Sequence, residues 1–221
     1  MALASAPTNV ATGLPDTIVQ ELIAVGQRLY SRGMALATSG NYSARLPDER
    51  LAVTVSGCHK GRLRAEDFMP VSPSGAALTD QKSSAETLLH TALYRLYPHV
   101  NAVLHAHSVA SATLTRSLPG RSQLTLEGYE MLKAFPGIAT HEARVEIPVF
   151  DNSQDIATLA GSVTARLEAL PQPPPAYLLR GHGIYAWGAT VAEAERVLEA
   201  MEHLLACELE TLRLKSGAAA S

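Results

Sequence analysis

Two histidines separated by a single residue, His105 and His107, close the apolar run Val100-Asn101-Ala102-Val103-Leu104. That run reads as a strand, and in a strand residues i and i+2 point to the same face. The two imidazoles therefore leave one face with their roots roughly 6–7 Å apart. From there they can converge on one tetrahedral metal ion at about 2.0–2.1 Å each. A metal needs more than two ligands, and among the remaining histidines His182 is the best placed. It sits in Arg180-Gly181-His182-Gly183, directly after the apolar run Ala176-Tyr177-Leu178-Leu179. Glycines on both sides permit positive φ and close backbone approach, which suits a ligand offered from a tight turn. Three histidines leave a fourth position for water or substrate, the arrangement of catalytic zinc. The plainer readings are polar residues at a strand end for the pair, and a turn histidine held by a backbone hydrogen bond for His182. His90 and His203 fall inside helical patterns, where a helix-face or core role is expected.

Two small, polar loops offer anion chemistry. Thr38-Ser39-Gly40-Asn41-Tyr42-Ser43 and Ser56-Gly57-Cys58-His59-Lys60-Gly61 are rich in hydroxyls, amides and glycine. Such loops can present backbone N–H groups to a phosphate, and Lys60 can add a cation. A plain turn and a solvated lysine are the alternatives. Two carboxylates are candidates for acid/base work. Glu86 lies in Ser83-Ser84-Ala85-Glu86, where Ser83-x-x-Glu86 fits a helix capping box, yet a carboxylate at that helix start can also face a metal. Glu130 lies in Glu127-Gly128-Tyr129-Glu130-Met131-Leu132-Lys133, where a pair of surface charges is the ordinary reading.

The elements that must position these groups follow from periodicity. Helical spacing is predicted over Asp16–Ser31, from Ser83 through Leu96, over Ser108–Arg116 and Asp155–Leu170, and from Thr190 onward, where Thr190-x-x-Glu193 caps a long last helix. Strands are predicted at 44–46 and 51–56 (a hairpin around Pro47-Asp48-Glu49), 68–71, 100–104, 122–126, 146–150, 176–179 and 184–187. Interspersed helices and strands with several hairpin links give α/β or α+β without fixing the strand order. The chain has 221 residues, 47% of them hydrophobic, with a net charge of −3. That composition supports one domain with an ample core and carries no basic footprint for nucleic acid. No apolar stretch approaches the length of a membrane span. Residues 1–15 read as a disordered lead rather than a signal peptide, residues 16–215 as one domain and 216–221 as a disordered tail. The two cysteines do not suggest a disulfide scaffold, and a cytoplasmic enzyme is the expectation.

In this order, Thr38–Ser43, Ser56-Gly57, Ser83–Glu86, His105-Ala106-His107-Ser108 and Gly181-His182-Gly183 resemble the class II aldolase/adducin family, over about residues 16–214. Within it, Lys60–Leu63, Gly128–Lys133, Asn152–Asp155 and His182–Gly188 are most similar to the methylthioribulose-1-phosphate dehydratases of methionine salvage. The resemblance implies a three-layer α/β/α fold with a central, mostly antiparallel sheet. It implies one zinc ion per subunit on His105, His107 and His182, and a homo-oligomer, commonly a tetramer, with the site near a subunit boundary. It implies a small sugar-phosphate substrate, with phosphate held by Ser39, Gly40, Asn41, Ser56, Gly57 and Lys60. Aldolases of the family use a glutamate at the position of Glu86. The dehydratases use one at the position of Glu130, which is the favoured acid/base, with Glu86 second. The activity so implied is dehydration of 5-methylthioribulose 1-phosphate. A sugar-phosphate aldolase or epimerase is the alternative, followed by a non-catalytic adducin-like interaction module.

Overall fold

The computed structural model describes residues 13–218. Eight strands form one sheet: β1 (Asn41–Arg45), β2 (Leu51–Thr54), β3 (Phe68–Val71), β4 (Ala102–Ala106), β5 (Gln123–Glu127), β6 (Arg144–Phe150), β7 (Ala176–Leu179) and β8 (Gly183–Gly188). Their order is β3-β2-β1-β4-β8-β7-β6-β5. Every neighbouring pair is antiparallel except β6 and β7. Helices α1 (Asp16–Ser31), α3 (Val109–Ser117) and α5 (Val191–Ala218) cover one face, burying Leu22, Leu114 and Leu204 against Leu104 and Ala186. Helices α2 (Thr87–Leu96) and α4 (Ile156–Glu168) cover the other, with Leu89, Leu93 and Val163 against Val103 and Tyr177. The expected three-layer α/β/α arrangement is therefore the observed one. Central β4 is buried along its whole length. This explains why its sequence is a continuous apolar run rather than an alternation: both faces of the strand are covered.

Local caps set where the helices begin. Ser108 accepts the Ser111 backbone N–H at 3.0 Å to start α3 directly after His107. Asp155 does the same for Thr158 at 3.1 Å in α4. At α5, Thr190 accepts from Glu193 N–H at 3.1 Å, while the Glu193 carboxylate accepts from Ala189 N–H at 2.7 Å. Thr190 is thus the cap its sequence announced, while the Glu193 carboxylate reaches the N–H of Ala189 rather than that of Thr190, so only half of the capping box forms.

Three expectations are corrected, and one alternative reading is removed. Leu14, assigned to the disordered lead, is fully buried in the core, so the folded chain starts earlier; residues 1–12 lie outside the described residues. Ser216, assigned to the tail, is still in α5; residues 219–221 lie outside the described residues. The capping box at Ser83 does not form, because α2 begins at Thr87 and makes Glu86 itself the N-cap residue, with no side-chain capping bond. The Glu86 carboxylate is thereby free to turn to the histidines. Lys60, for which a solvated position was the plain alternative, is buried to 1% exposure.

Candidate metal centre and adjoining pocket

Strand register assembles the centre. His105 lies in β4, opposite Asn41 of β1 on one side and Tyr185 of β8 on the other, and Tyr185 in turn pairs with Tyr177 of β7. These four side chains form one row across four strands. The His105 ring stacks on Tyr185 with centroids 4.0 Å apart, and Tyr185 stacks on Tyr177 at 4.8 Å. His107 follows just beyond β4 and is pinned by its backbone N–H donating to Met34 O at 2.8 Å. His182 sits on the β7–β8 turn, where Gly181 has φ +65°. The turn is held from outside by Gly181 N–H donating to Thr115 Oγ1 at 2.9 Å, and by the Arg180 guanidinium on the carbonyls of Thr115, Leu118 and Arg121. Gly183 is required by proximity. A Cβ there would meet Ala106 O at 2.2 Å, His105 Cε1 at 3.0 Å and His107 Cδ2 at 3.1 Å.

The three imidazoles converge, with His105 Nε2 2.8 Å from His107 Nε2 and 3.3 Å from His182 Nε2. His105 Nδ1–H donates to Ile184 O at 2.9 Å, and His182 Nδ1–H to Asn152 Oδ1 at 3.2 Å. Each bond consumes the ring's proton and leaves Nε2 as a lone pair aimed at the centre. Burial, reinforced by the neighbouring histidines, holds His105 well below the usual imidazole range. Burial, with His182 and Lys60 adding to it, brings His107 down to about 4. Neutral imidazoles with inward lone pairs repel one another unless a cation sits among them. Ligands of a tetrahedral ion at about 2.0–2.1 Å lie about 3.3 Å from each other, the scale of the separations found. The residues present therefore fit a metal ion, and among the described residues these three histidines are the group able to hold one.

Glu86 closes the fourth side. Its carboxylate lies 3.3 Å from His182 Nε2 and 3.5 Å from His105 Nε2. Beside it opens a pocket of about 300 Å³ lined by Ser39, Gly40, Asn41, Ser56, Gly57 and Lys60, together with His107, His182 and Glu86. All six residues expected in the two loops are among its lining. Gly40 has φ +77°, and a Cβ on it would lie 2.7 Å from His105 O, so the first loop can pass under the metal site only as glycine. Lys60 Nζ donates to Cys58 O at 2.7 Å and Thr38 O at 3.2 Å, which leaves its third N–H for the pocket. Burial lowers its pKa, opposed by Cys58, Asp67 and Glu86. Thr38, Thr54, Val55 and Ser84 also line the pocket without having been singled out as site residues, and no spacing in the sequence distinguishes them.

Glu130 is elsewhere. It opens the 3-10 turn Glu130–Ala134, is 70% exposed, and pairs with Lys133 at 2.5 Å. It is not among the residues lining the pocket of its own chain.

Comparison with known proteins decides the family. Residues 20–209 match the family model described as the Class II Aldolase and Adducin N-terminal domain. The chain belongs to the class II aldolase/adducin family. Members of this family are generally metal-dependent, in keeping with the histidine centre. The chain is 53% identical over 198 residues to a methylthioribulose-1-phosphate dehydratase of Hahella chejuensis (strain KCTC 2396), covering 89% of this chain and 95% of that protein. It is 47% identical over 218 residues to one of Acidiphilium cryptum (strain JF-5), covering 97% and 100%. Among solved structures it resembles an L-fuculose-1-phosphate aldolase from Thermus thermophilus, with a TM-score of 0.72 and 27% identity over 91% of this chain and 97% of that one.

Proposed function

We propose that this class II aldolase-family chain is a zinc-dependent methylthioribulose-1-phosphate dehydratase of methionine salvage. The observation that carries the reading is identity of about half, end to end, with proteins of that name, against 27% with the aldolase of the same fold. The shared fold is common to both chemistries, so the difference in identity is what separates them.

His105, His107 and His182 would hold the ion, which supplies Lewis acidity to the substrate's C2 carbonyl oxygen, worth several kcal/mol. The chain's own groups do the rest. The phosphate is taken by the N–H and hydroxyl groups of Ser39, Gly40, Asn41, Ser56 and Gly57, with the third N–H of Lys60 as the charge-assisted contact. A carboxylate removes the C3 proton and returns it to the departing C4 hydroxyl, so water leaves and the resulting enol relaxes to the 2,3-diketone. Such general acid/base help is worth about 10²–10⁴ in rate. We assign this step to Glu130, acting in the pocket of a neighbouring subunit because it lies outside the pocket of its own chain. Glu86, close to His105 and His182 in the same chain, stands beside the carbonyl end. The reading carries with it a homo-oligomer, taken as a tetramer, in the cytoplasm.

The test is direct. Zinc-loaded protein incubated with 5-methylthioribulose 1-phosphate should yield 5-methylthio-2,3-dioxopentyl phosphate and no aldol cleavage products. Cleavage to smaller fragments, or turnover of fuculose or ribulose phosphates alone, would make the aldolase or epimerase reading the better one.

A further inference from the structure

We propose that His90 is a positioning residue for Glu86, acting through Asn41 by fixing which end of the Asn41 amide faces the carboxylate. The inference rests on Glu86 working beside the metal centre. Its basis is a buried polar ladder between α2 and β1. Glu86, His90 and Tyr94 stand at i, i+4 and i+8, one stripe of a helix. They face Asn41 and Ser43, which stand at i and i+2 on one face of the strand. Among the ladder's inner members, Ser43 is fully buried and His90, Tyr94 and Asn41 are at most 6% exposed.

The carboxylate sets the polarity of every bond. Glu86 Oε2 accepts from Asn41 Nδ2 at 2.6 Å, so the Asn41 amide oxygen must face the other way, onto His90 Nε2. His90 Nε2 must therefore carry the proton and donate it. His90 Nδ1 is then an acceptor, and it takes the Ser43 hydroxyl at 2.7 Å. The Ser43 oxygen in turn accepts from Tyr94 O–H at 2.8 Å. Only one direction of donation satisfies all five groups: Tyr94 to Ser43 to His90 to Asn41 to Glu86. The Tyr185 ring stands edge-on to His90 with centroids 5.7 Å apart, and the charged groups bordering the ladder are Glu86, met through Asn41, and Arg45, whose guanidinium lies 5.1 Å from the Tyr94 ring centroid. Burial brings His90 down to about 3 and pushes the Tyr94 phenol up, which keeps the first neutral and the second a donor. Without a donor at His90 Nε2, the Asn41 amide is free to turn its oxygen on Glu86, repelling the carboxylate from the place where it meets the histidines.

Two measurements test this. In metal-free protein with 15N-labelled histidine, NMR should show His90 as the neutral Nε2–H tautomer, unchanged through the pH range in which ordinary histidines titrate. An Nδ1–H tautomer or a titrating His90 overturns the proposal. With 5-methylthioribulose 1-phosphate and zinc, His90→Leu should lower kcat by about 10- to 100-fold, the scale of losing an outer-shell partner, with KM within about twofold. His90→Gln, which offers an N–H to Asn41 and an oxygen to Ser43, should recover most of the loss. Leu and Gln variants with equal kcat refute the positioning role. Should His90→Leu not fold, Ser43→Ala takes its place: Asn41 Oδ1 still demands a proton on Nε2, so His90 should keep the Nε2–H tautomer, and a mixed or Nδ1–H population counts against the ladder. A Glu86→Gln enzyme with full activity overturns the reading of Glu86 even where the tautomer is as expected, so the two failures are told apart.

Discussion

Replacing Gly183 by alanine probes how tightly the strands are built around the histidines. The added Cβ would lie 2.2 Å from Ala106 O, a backbone atom of β4, and 3.0–3.1 Å from ring atoms of His105 and His107. The carbonyl cannot rotate aside, because β4 and β8 are paired in register from Ala102 to Ala106. The strands must separate by roughly an ångström at Ala106–Ile184, the point where His105 Nδ1 takes its carbonyl partner. Overpacking of this kind costs about 1–3 kcal/mol. For a chain of this size each kcal/mol moves Tm by about 2–4 °C, so the melting point should fall by about 2–12 °C. Because the shift carries His182 away from His105 and His107, zinc affinity should fall as well, by about 10-fold or more. The control is Gly161→Ala in α4, where a Cβ meets nothing within 4 Å. There alanine should be neutral or stabilising by about 0.5–1 kcal/mol. Thermal melts and chelator competition read both quantities. A Gly183→Ala protein with the parental Tm and zinc affinity would refute the close approach on which the site's geometry depends.

Chelation should remove metal and activity together and lower Tm, because an ion at about 100 times its Kd contributes about 2.7 kcal/mol to the folded state; identical melts with and without chelator would exclude a metal on the triad. Lys60→Met keeps the buried volume and removes the charge, so KM for the phosphorylated substrate and Ki for inorganic phosphate should rise about 10- to 100-fold, the value of a hydrogen bond to a charged group; unchanged constants would take Lys60 out of the phosphate site. Glu130→Gln should retain zinc while kcat falls by about 10² or more, and normal turnover would pass the proton transfer to Glu86. Chains carrying Glu130→Gln and chains carrying His182→Ala, each inactive alone, should regain activity when co-assembled if Glu130 acts across subunits; no recovery in a verified mixed oligomer removes that arrangement.

Much of the fold was legible because its signals are local. Helical periodicity placed α1 at Asp16–Ser31 to the residue, and Thr190-x-x-Glu193 announced the cap that opens α5. The His-x-His at the end of β4 and the glycine-flanked His182 were readable for the same reason: strand alternation and turn stereochemistry act over two or three residues. The misplaced boundaries are also local failures. Leu14 belongs to the core through partners that are distant in sequence, and a polar, alanine-rich stretch before α1 gives no hint of them. Ser83-x-x-Glu86 satisfied the pattern of a capping box, yet the helix started one residue after Glu86. Propensity for a cap is worth about 1 kcal/mol, and here the Glu86 carboxylate instead accepts from Asn41 Nδ2 at 2.6 Å.

What stayed hidden is the register. Asn41, His105, Tyr185 and Tyr177 share a row because β1, β4, β8 and β7 are neighbours, although they come from positions 41 to 188 of the chain. A shift of one residue in any of these strands would send its member of the row to the opposite face. The row therefore puts one demand on four strands at once. Asn41 must reach a carboxylate on α2, His105 must expose Nε2, and Tyr185 must supply the flat surface beneath its ring. His90 shows the consequence most plainly. From the sequence it is a histidine on a helix with apolar neighbours, and a core residue is a sufficient account of it. Its neighbours become informative only when α2 is laid across β1, so that a helix repeat of four meets a strand repeat of two and the polar groups of both meet rung by rung. The site residues that local patterns reveal are the histidines of the candidate metal centre and the loops that line the pocket. Those that set their orientation are defined by packing between elements, and only a three-dimensional structure brings them together.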